Sequence, residues 1–310
     1  MSDTAHTFTG SIEGAATPAR VRDYIDLLKP RVMSLVVFTG WIGVLIAPVH
    51  LHPFKAALAV LAIALGSGAA GAINMWYERD LDALMARTRN RPLPSGRVAP
   101  DDALGLGVLL SMFSVLLMAV STNLVAAALL TAAILFYVFV YTIWLKRRTP
   151  QNIVIGGAAG AFPPMIGWAA ATGDVSAVGI ALFLLVFLWT PPHFWALALY
   201  RSEDYRRAGV PMLPVVAGPR ETKRQMVIYT LLLLPVALAP TLLGAVGWVY
   251  GAVALALSLG FIGHAIAVWR TADDETAFGA ARRMFRYSLI YLAVVFAALP
   301  VDLVVSRIAG

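Results

Sequence analysis

Long runs of apolar residues, separated by short polar connections, make up nearly the whole chain. Nine of these runs are about 18 to 25 residues long, which is enough for an α-helix to cross a bilayer. The predicted spans cover residues 32–50, 55–77, 104–121, 123–144, 153–172, 177–199, 226–244, 246–269 and 287–306. The pattern predicts an all-α polytopic membrane protein with nine transmembrane helices. One domain is expected over residues 23–310, after a disordered cytoplasmic tail at 1–22.

The basic residues give these spans an orientation. Of the 24 Lys and Arg residues, only Lys55 and Arg307 fall on the side opposite the N-terminus. Because Lys and Arg are concentrated in cytoplasmic loops, the N-terminus is predicted to be cytoplasmic and the C-terminus to lie outside. The two long connections, after the second and sixth spans, are then cytoplasmic as well. The net charge of +7 has this topological origin, so no nucleic-acid partner is expected.

The composition excludes several classes of protein. With 60% hydrophobic and 13% charged residues, the lipid bilayer is the expected environment and no separate soluble core is expected. The chain has no cysteine, which rules out disulfides, thiolate metal sites and thiol redox chemistry. The first 20 residues lack the apolar core of a signal peptide and the character of a transit peptide. We therefore expect a bacterial inner-membrane protein.

The first long connection contains a candidate metal and phosphate site. Residues 74–91 read NMWYERDLDALMARTRNR. Asn74, Glu78 and Asp82 are four residues apart, so on a continuing helix they project oxygen atoms from one face. Such ligands suit Mg²⁺, which binds few carboxylates and leaves room for water and substrate phosphate. Phosphate would be bound by the arginines that follow, Arg87, Arg89 and Arg91.

A simpler interpretation is a solvated cytoplasmic loop that only orients the chain. Two features favour a binding site instead. The acidic residues begin while the helix is still apolar, and Asn74 lies inside the hydrophobic pattern itself.

A second polar group of residues ends the sixth span and enters the other long connection. Residues 189–205 read WTPPHFWALALYRSEDY, with acidic residues at Glu203 and Asp204. His193 lies between two prolines and two aromatic residues, and either substrate contact or a satisfied interior histidine fits it. Both long connections carry acidic residues followed by a proline-flanked turn. This similarity predicts a duplicated four-helix unit with paired sites at a central cavity.

The start of the fifth span is a further candidate for anion binding. Residues 146–152 read KRRTPQN, and a helix start with cationic and amide side chains favours an anion. Topology alone explains Arg147 and Arg148, but not the polarity of Lys146 with Gln151 and Asn152. His264 is expected to pack or to hydrogen-bond between helices, and Asp302 to lie at the membrane interface.

Small residues and prolines predict how the helices pack. The runs GSGAAGA at 66–72 and GGAAGA at 156–161 allow close helix contacts. Proline pairs at 163–164 and 191–192 are expected to interrupt the fifth and sixth helices. Since freed carbonyls need protein or water as partners, a cavity is predicted nearby.

Together these motifs resemble the intramembrane prenyltransferase (UbiA) superfamily and, within it, the branch that farnesylates haem b. The resemblance spans nearly the whole chain. It rests on DY at 23–24, KPRV at 29–32, NMWYERDLD at 74–82, RTRNRP at 87–92, YT at 141–142, KR at 146–147, TPQNIVIGG at 149–157 and TPPHFW at 190–195. It implies a UbiA-like fold of nine helices around a central cavity, with a magnesium-bridged diphosphate at the cytoplasmic face.

The resemblance also implies a set of metal ligands. The first superfamily motif falls on Asn74, Glu78 and Asp82, with Glu where Asp is common. The second motif, usually two aspartates, falls on Tyr200 and Asp204, and Glu203 stands beside the missing carboxylate. Mg²⁺ is therefore expected to be held by Asn74, Glu78, Asp82 and Asp204.

The implied substrates are farnesyl diphosphate and haem b, with haem as substrate rather than cofactor. Lys146, Arg87 and Arg91 are expected to neutralise the departing diphosphate, and Tyr141 and Trp195 to stabilise the allylic cation. His193 is expected to contact or orient the haem. Further substrate contacts are predicted for Arg147, Asn152, Tyr200 and Glu203. Haem A synthase and terminal oxidase assembly factors are the expected protein partners.

Two alternatives stay open at this point. A quinone precursor could replace haem as acceptor, although the TPPHFW segment at 190–195 resembles the haem-modifying branch. A transporter of anions would also have broken helices and basic loops. A transporter, however, does not require three oxygen-bearing side chains at four-residue spacing, such as Asn74, Glu78 and Asp82, beside an arginine cluster.

Overall fold

Helices form all the regular structure of the residues that the computed structural model describes, 19–274 and 277–309. Most of the predicted tail, residues 1–18, lies outside them. The first helix begins at Val21, inside the predicted tail range. The division into a tail and one domain stays a prediction.

The helices follow one another with short connections. They are α1 (Val21–Leu27), α2 (Pro30–Leu45), α3 (Pro53–Tyr77), α4 (Arg79–Leu84), α5 (Pro100–Ser121), α6 (Leu124–Leu135, continued as a π-helix over Phe136–Leu145), α7 (Asn152–Thr172), α8 (Ala177–Tyr200), α9 (Ser202–Arg207), α10 (Leu213–Val216), α11 (Gly218–Leu242), α12 (Trp248–Trp269) and α13 (Ala277–Ala309).

Within the described ranges, eight helices are long and apolar enough to cross a membrane: α3, α5, α6 with its π-helical continuation, α7, α8, α11, α12 and α13. A ninth span results if α1 and α2, which meet at a bend of 55°, are counted as one. The predicted all-α membrane architecture is confirmed, and the number nine depends on how this bent pair is counted.

Two predicted spans are shorter than the helices that contain them. α11 begins at Gly218 and α13 at Ala277, ahead of the predicted starts at 226 and 287. The extra turns carry charged side chains such as Arg220 and Arg282. Hydropathy detects only the part of a helix within the bilayer, so it misses turns that continue into water.

The two largest hydrophobic cores of the described residues share α7. One core joins α3, α5, α6 and α7, while the larger one joins α2, α7, α8 and α11 to α13. α3 packs along α5 and α5 along α6, as α8 packs along α11 and α11 along α12. This shared order of neighbours is what the predicted duplication of a four-helix unit requires.

The predicted close packing at small residues is confirmed, but the predicted helix breaks are wrong. A Cβ atom on Gly66 would meet Ser114 and Leu130, and one on Gly156 would meet the Tyr141 ring. α7 and α8 run through both of their proline pairs without interruption. All four prolines are buried, so packing against neighbouring helices keeps these segments helical.

One cavity lies far from the polar residues of the long connections. It has a volume of about 670 Å³ and lies between α2 and the start of α3, lined by residues such as Phe38, Trp41 and Ala57. At 1.5 Å per residue, Ala57 is about 25 Å along α3 from Asn74. This cavity is therefore not the expected phosphate site, and it does not lie at the proline pairs.

Asp302 is completely buried rather than interfacial. Its carboxylate accepts hydrogen bonds from the backbone N–H groups of Gly247 and Tyr250, the latter at 3.0 Å. Since Gly247 is the N-cap of α12, α13 supplies the cap of its neighbour. His264 packs against Tyr287 of α13, with ring centroids 4.6 Å apart, as the sequence predicts.

We expect Asp302→Ala to lower the free energy of unfolding by about 1–3 kcal/mol, because it leaves buried N–H groups without an acceptor. Asp302→Asn keeps one acceptor oxygen and should lose less. The measurement is the apparent Tm in detergent, followed by tryptophan fluorescence. An unchanged Tm in the Ala variant would contradict the capping role.

Candidate active site

Asn74, Glu78 and Asp82 form a ladder of oxygen atoms at the C-terminal end of α3. The helix does not continue unbroken as the sequence suggested, because α3 ends at Tyr77 and α4 begins at Arg79. The backbone hydrogen bonds nevertheless continue through the break. Glu78 N–H donates to the Asn74 carbonyl at 3.0 Å and Asp82 N–H to the Glu78 carbonyl at 2.8 Å. The three side chains therefore keep the predicted four-residue register.

Each ladder side chain is buried and has its own cationic partner. Asn74, Glu78 and Asp82 are only 2%, 2% and 1% exposed. Because buried carboxylates need compensating charge, the pairing explains how they are tolerated. The pairs are Lys29 Nζ to Asn74 Oδ1 at 2.5 Å, Lys146 Nζ to Glu78 Oε2 at 2.5 Å and Arg91 Nη1 to Asp82 Oδ2 at 2.7 Å.

The loop after α4 folds back to deliver Arg91. The Thr88 hydroxyl donates to the Asp82 carbonyl at 2.8 Å, and Thr88 is fully buried. This contact closes the turn and returns the chain to the ladder. Lys146 and Arg91 balance the two carboxylates, and Lys29 adds a third basic group to the cluster, which favours binding of an anion.

Glu78 has a free oxygen atom suited to a cation. Its Oε1 is buried without a hydrogen-bond partner among the described residues, which is unusual for a carboxylate. Two carboxylates and one amide fit Mg²⁺, which completes its shell with water and phosphate oxygens. No group of three or more His, Cys, Asp or Glu side chains within the described ranges is close enough together to hold a metal. The four-residue ligand set with Asp204 stays a prediction.

Lys146 and Tyr141 reach the ladder from the π-helical end of α6. Lys146 N–H bonds to the Tyr141 carbonyl at 3.0 Å, and Lys146 Nζ lies 5.7 Å from the centroid of the Tyr141 ring. Thr142, on the same segment, accepts a hydrogen bond from Asn74 Nδ2 at 3.1 Å. π-Helical turns are frequent at functional sites. This one brings Thr142 and Lys146 into contact with the ladder and places Tyr141 under Lys146.

Arg147 points away from the ladder. Its guanidinium forms a bidentate pair with Asp80, at 2.7 and 2.9 Å, and stacks over the Tyr77 ring at 5.2 Å. The hydrogen bonds from Arg147 hold the pKa of the Asp80 carboxyl below its ordinary value. The pair ties α4 to the connection between α6 and α7. A substrate contact of Arg147 therefore requires its guanidinium to leave Asp80.

Two further residues of the predicted site have different surroundings. Arg87 is exposed, and its phosphate contact stays a prediction. Asn152 is 1% exposed, and its Nδ2 donates to the Thr149 carbonyl at 2.5 Å. Its Oδ1 is buried without a partner among the described residues, so it can still accept a hydrogen bond.

The second long connection, which follows α8, packs against the ladder region through an apolar cluster. Leu81 and Met85, beside the ladder, pack with Val210 and Met212 of the other long connection. Asp204, on the short helix α9, forms a weak pair with Arg201 at 3.6 Å. The two long connections thus meet at one face, as the predicted duplication implies.

Glu203 and Tyr200 have partners in their own half of the protein. Glu203 is exposed and pairs with Arg206 at 2.6 Å and Arg207 at 3.2 Å on its own short helix. The Tyr200 ring lies 5.3 Å from the Arg282 guanidinium. The structure does not bring Glu203 to the ladder in place of the missing carboxylate.

His193 and Trp195 lie deeper, between helices of the larger core. The His193 ring stacks between Trp189 and Phe285, and its Nδ1 is 2.6 Å from the Ser288 hydroxyl. This hydrogen bond uses Nδ1, so Nε2 is the ring nitrogen left for the expected contact with haem. Trp195 is 1% exposed and packs on the edge of another ring of the same core.

Lys29 contacts the ladder through Asn74, a functional role that the sequence pattern did not indicate. Its charge counted only toward topology, although the KPRV motif at 29–32 contributed to the resemblance. The signal that could have revealed it is the proline that follows. A residue before proline avoids the α-helical backbone conformation, so Lys29 is expected at a corner of the chain rather than inside a helix. Thr142 was likewise visible only as part of a motif.

These features define a membrane prenyltransferase, and comparison gives the family. Residues 35–289 match the UbiA prenyltransferase family, and the chain belongs to it. Within that family it is similar to proteins named protoheme IX farnesyltransferase. That of Granulibacter bethesdensis is 56% identical over 97% of this chain and 99% of its own. That of Afipia carboxidovorans is 57% identical over 94% and 93%.

Solved structures share the fold at low sequence identity. A digeranylgeranylglyceryl phosphate synthase superposes with a TM-score of 0.76 at 19% identity, over 91% of this chain and 98% of that one. A UbiA homolog from Archaeoglobus fulgidus, bound to DMAPP and Mg²⁺, gives a TM-score of 0.67 at 18% identity, over 89% and 99%. These likenesses confirm the UbiA-like fold.

Proposed function

We propose that the protein transfers the farnesyl group of farnesyl diphosphate to a vinyl group of haem b, making haem O and diphosphate. The observation that carries prenyl transfer is the buried ladder, in which Glu78 keeps an unpartnered oxygen beside the cations Lys146 and Arg91. The choice of haem as acceptor is supported by relatives named protoheme IX farnesyltransferase that match nearly the full chain.

Asn74, Glu78 and Asp82 would hold Mg²⁺, with Asp204 as a further ligand from the second long connection. When bound, the metal supplies positive charge at the diphosphate, where negative charge develops as the leaving group departs. The fit rests on the orphaned Glu78 oxygen. That the UbiA homolog from Archaeoglobus fulgidus binds DMAPP and Mg²⁺ supports this assignment.

The cations of the site act on the leaving group. Lys146, Arg91 and Arg87 bind diphosphate oxygens, and preorganised charge of this kind is usually the largest catalytic contribution. The bond between farnesyl C1 and the phosphate oxygen breaks, with both electrons going to diphosphate. A new carbon–carbon bond forms to the haem vinyl group. Water then adds to the remaining vinyl carbon and loses a proton, giving the hydroxyethylfarnesyl chain.

Aromatic and apolar surroundings keep the allylic cation from reacting with water. Tyr141 lies under Lys146 near the ladder and would face this cation, and a cation–π contact contributes about 0.5–2 kcal/mol. Trp195 belongs to the larger core and would act only if substrate enters between its helices. His193 Nε2 is the proposed haem contact. Arg147, Asn152, Tyr200 and Glu203 stay as proposed secondary contacts.

The proposed location is a bacterial inner membrane, with the ladder and the N-terminus in the cytoplasm. The positive-inside distribution of Lys and Arg supports this orientation. Haem A synthase or terminal oxidase assembly factors are proposed partners because they would receive the product. Prenyl transfer to a quinone precursor is the remaining alternative. Membership in a prenyltransferase family disfavours an anion transporter.

The test is an assay of purified protein in detergent with farnesyl diphosphate, Mg²⁺ and haem b, followed by mass spectrometry of the extracted pigment. A haem adduct carrying one farnesyl group and one water is the expected product, and EDTA should abolish it. Parallel reactions contain 4-hydroxybenzoate or a naphthoate. Prenylation of these acceptors with unmodified haem would keep the reaction class but overturn the acceptor.

A further inference from the structure

Lys29 has an unusual backbone conformation at the corner between α1 and α2. Its φ and ψ angles are 54° and 55°, and no other non-glycine residue of the described chain has a positive φ. Residues with a Cβ atom avoid this left-handed region. Such strain persists only where the surroundings fix it, and it is concentrated at functional sites.

Contacts on both sides hold this corner in place. α1 is anchored to the loop after the ladder, because Arg97 Nε donates to Asp23 at 2.7 Å. On the other side, a Cβ atom on Gly71 of α3 would lie 3.6 Å from the Lys29 side chain. The lysine stem therefore runs along a glycine surface of α3 toward the ladder.

The Lys29 ammonium donates a hydrogen bond to the Asn74 side-chain oxygen, the atom that would bind a metal. Its Nζ lies 2.5 Å from Asn74 Oδ1. The other end of the amide is fixed as well, since Asn74 Nδ2 donates to Thr142. The amide oxygen therefore faces Lys29, and the ammonium occupies the position that a metal ion bound to this oxygen would take.

We propose that Lys29 is a diphosphate-binding residue that competes with the metal for Asn74 Oδ1. When metal and prenyl diphosphate bind together, the metal takes the amide oxygen and the Lys29 ammonium moves to a diphosphate oxygen. This inference rests on the proposed function. It explains why a strained lysine is kept at the ladder, where a neutral donor to Asn74 would have sufficed for structure.

The exchange of partners makes a thermodynamic prediction about the two ligands. Metal alone must displace the ammonium without giving it a new partner, whereas metal with diphosphate provides one. Binding of each ligand therefore favours the other by the same factor. Removing the Lys29 charge should strengthen the binding of metal alone and weaken the binding of diphosphate.

Both effects are measurable without turnover. Mn²⁺ binding to the detergent-purified protein is followed by loss of the free-ion EPR signal. Inorganic pyrophosphate binding in the presence of Mg²⁺ is followed by calorimetry. For Lys29→Met we expect Mn²⁺ to bind more tightly than to the wild type and pyrophosphate to bind about 10- to 100-fold more weakly, as for loss of a charged hydrogen bond.

Two further variants separate binding from structure. Lys55→Met removes an exposed lysine at the opposite end of α3 and should change neither affinity. Lys29→Arg keeps the charge and should bind pyrophosphate within a few fold of wild type. All proteins are compared by size-exclusion profile and apparent Tm before binding is measured.

Each outcome has one meaning. Opposite changes in the two affinities of Lys29→Met support the exchange. A fall in both affinities would give Lys29 a structural role, and no change in either would remove it from the site, so both results overturn the inference while leaving the proposed function intact. A wild-type protein that binds no pyrophosphate with Mg²⁺ would overturn the proposed diphosphate site itself.

Discussion

Replacing Glu78 by Gln is expected to lower kcat/KM for haem farnesylation by at least about a hundredfold, the effect of removing one preorganised electrostatic group. The carboxylate has one oxygen on Lys146 and one buried oxygen without a partner. Gln fills the same volume but carries no charge and replaces one oxygen with an amide NH₂. Either the proposed metal-binding oxygen is lost or the Lys146 ammonium faces a donor, and the negative charge is lost in both cases.

Asp80→Asn is the matched control because Asp80 lies between two ladder residues in the sequence yet points elsewhere. Its carboxylate is largely exposed and bound to Arg147, and such a surface pair contributes little stability. We expect its kcat/KM to stay within about threefold of wild type. The rates come from the mass-spectrometric assay with equal amounts of monodisperse protein. Equal losses in both variants, or full activity in Glu78→Gln, would remove Glu78 from the site.

Gly167→Ala is expected to cause the largest loss of stability. α2 and α7 cross so closely that a Cβ atom on Gly167 would press into the Gly40 carbonyl and come within 3.0 Å of Val44 N. These are backbone atoms and cannot rotate away, so the two helices must separate along their contact. Overpacking of this kind typically costs about 1–3 kcal/mol, and a rigid backbone contact should reach the upper end. The measurements are apparent Tm and the yield of monodisperse protein.

Gly160→Ala, on the same helix α7, is the matched control and is not expected to lower the stability. Nothing lies within 4 Å of a Cβ atom at Gly160, and Ala is more favourable than Gly in a helix by about 1 kcal/mol. The apparent Tm should stay the same or rise. A similar fall in both variants would show that glycine serves flexibility along α7 rather than the crossing with α2.

The ladder shows how far local spacing can predict a site. Asn74, Glu78 and Asp82 were predicted to share a face, and they do, although α3 ends at Tyr77. The prediction survives because the two i to i−4 hydrogen bonds at Glu78 and Asp82 continue through the break. Spacing depends on local hydrogen bonds, so an interruption that preserves them preserves the register.

Partners distant in sequence were harder to assign. Arg147 and Lys146 are adjacent and equally basic, yet one binds Asp80 and the other Glu78. Glu203 resembled a substitute ligand but pairs with its own helix. Charge patterning gives the side of the membrane on which a residue lies. It does not give the direction of its side chain, because that depends on how the helices are rotated and packed.

By itself the sequence determined the membrane class, the long apolar helices, the orientation expected from the basic residues and the four-residue register of the ladder. Each of these depends on hydrophobicity, on the distribution of basic residues or on backbone hydrogen bonds between residues close in sequence. The tertiary structure alone decided that Lys29 meets Asn74, that α7 and α8 run through their prolines, and that Asp302 caps α12. These features join residues tens of positions apart, and only close packing of whole helices fixes which atoms meet.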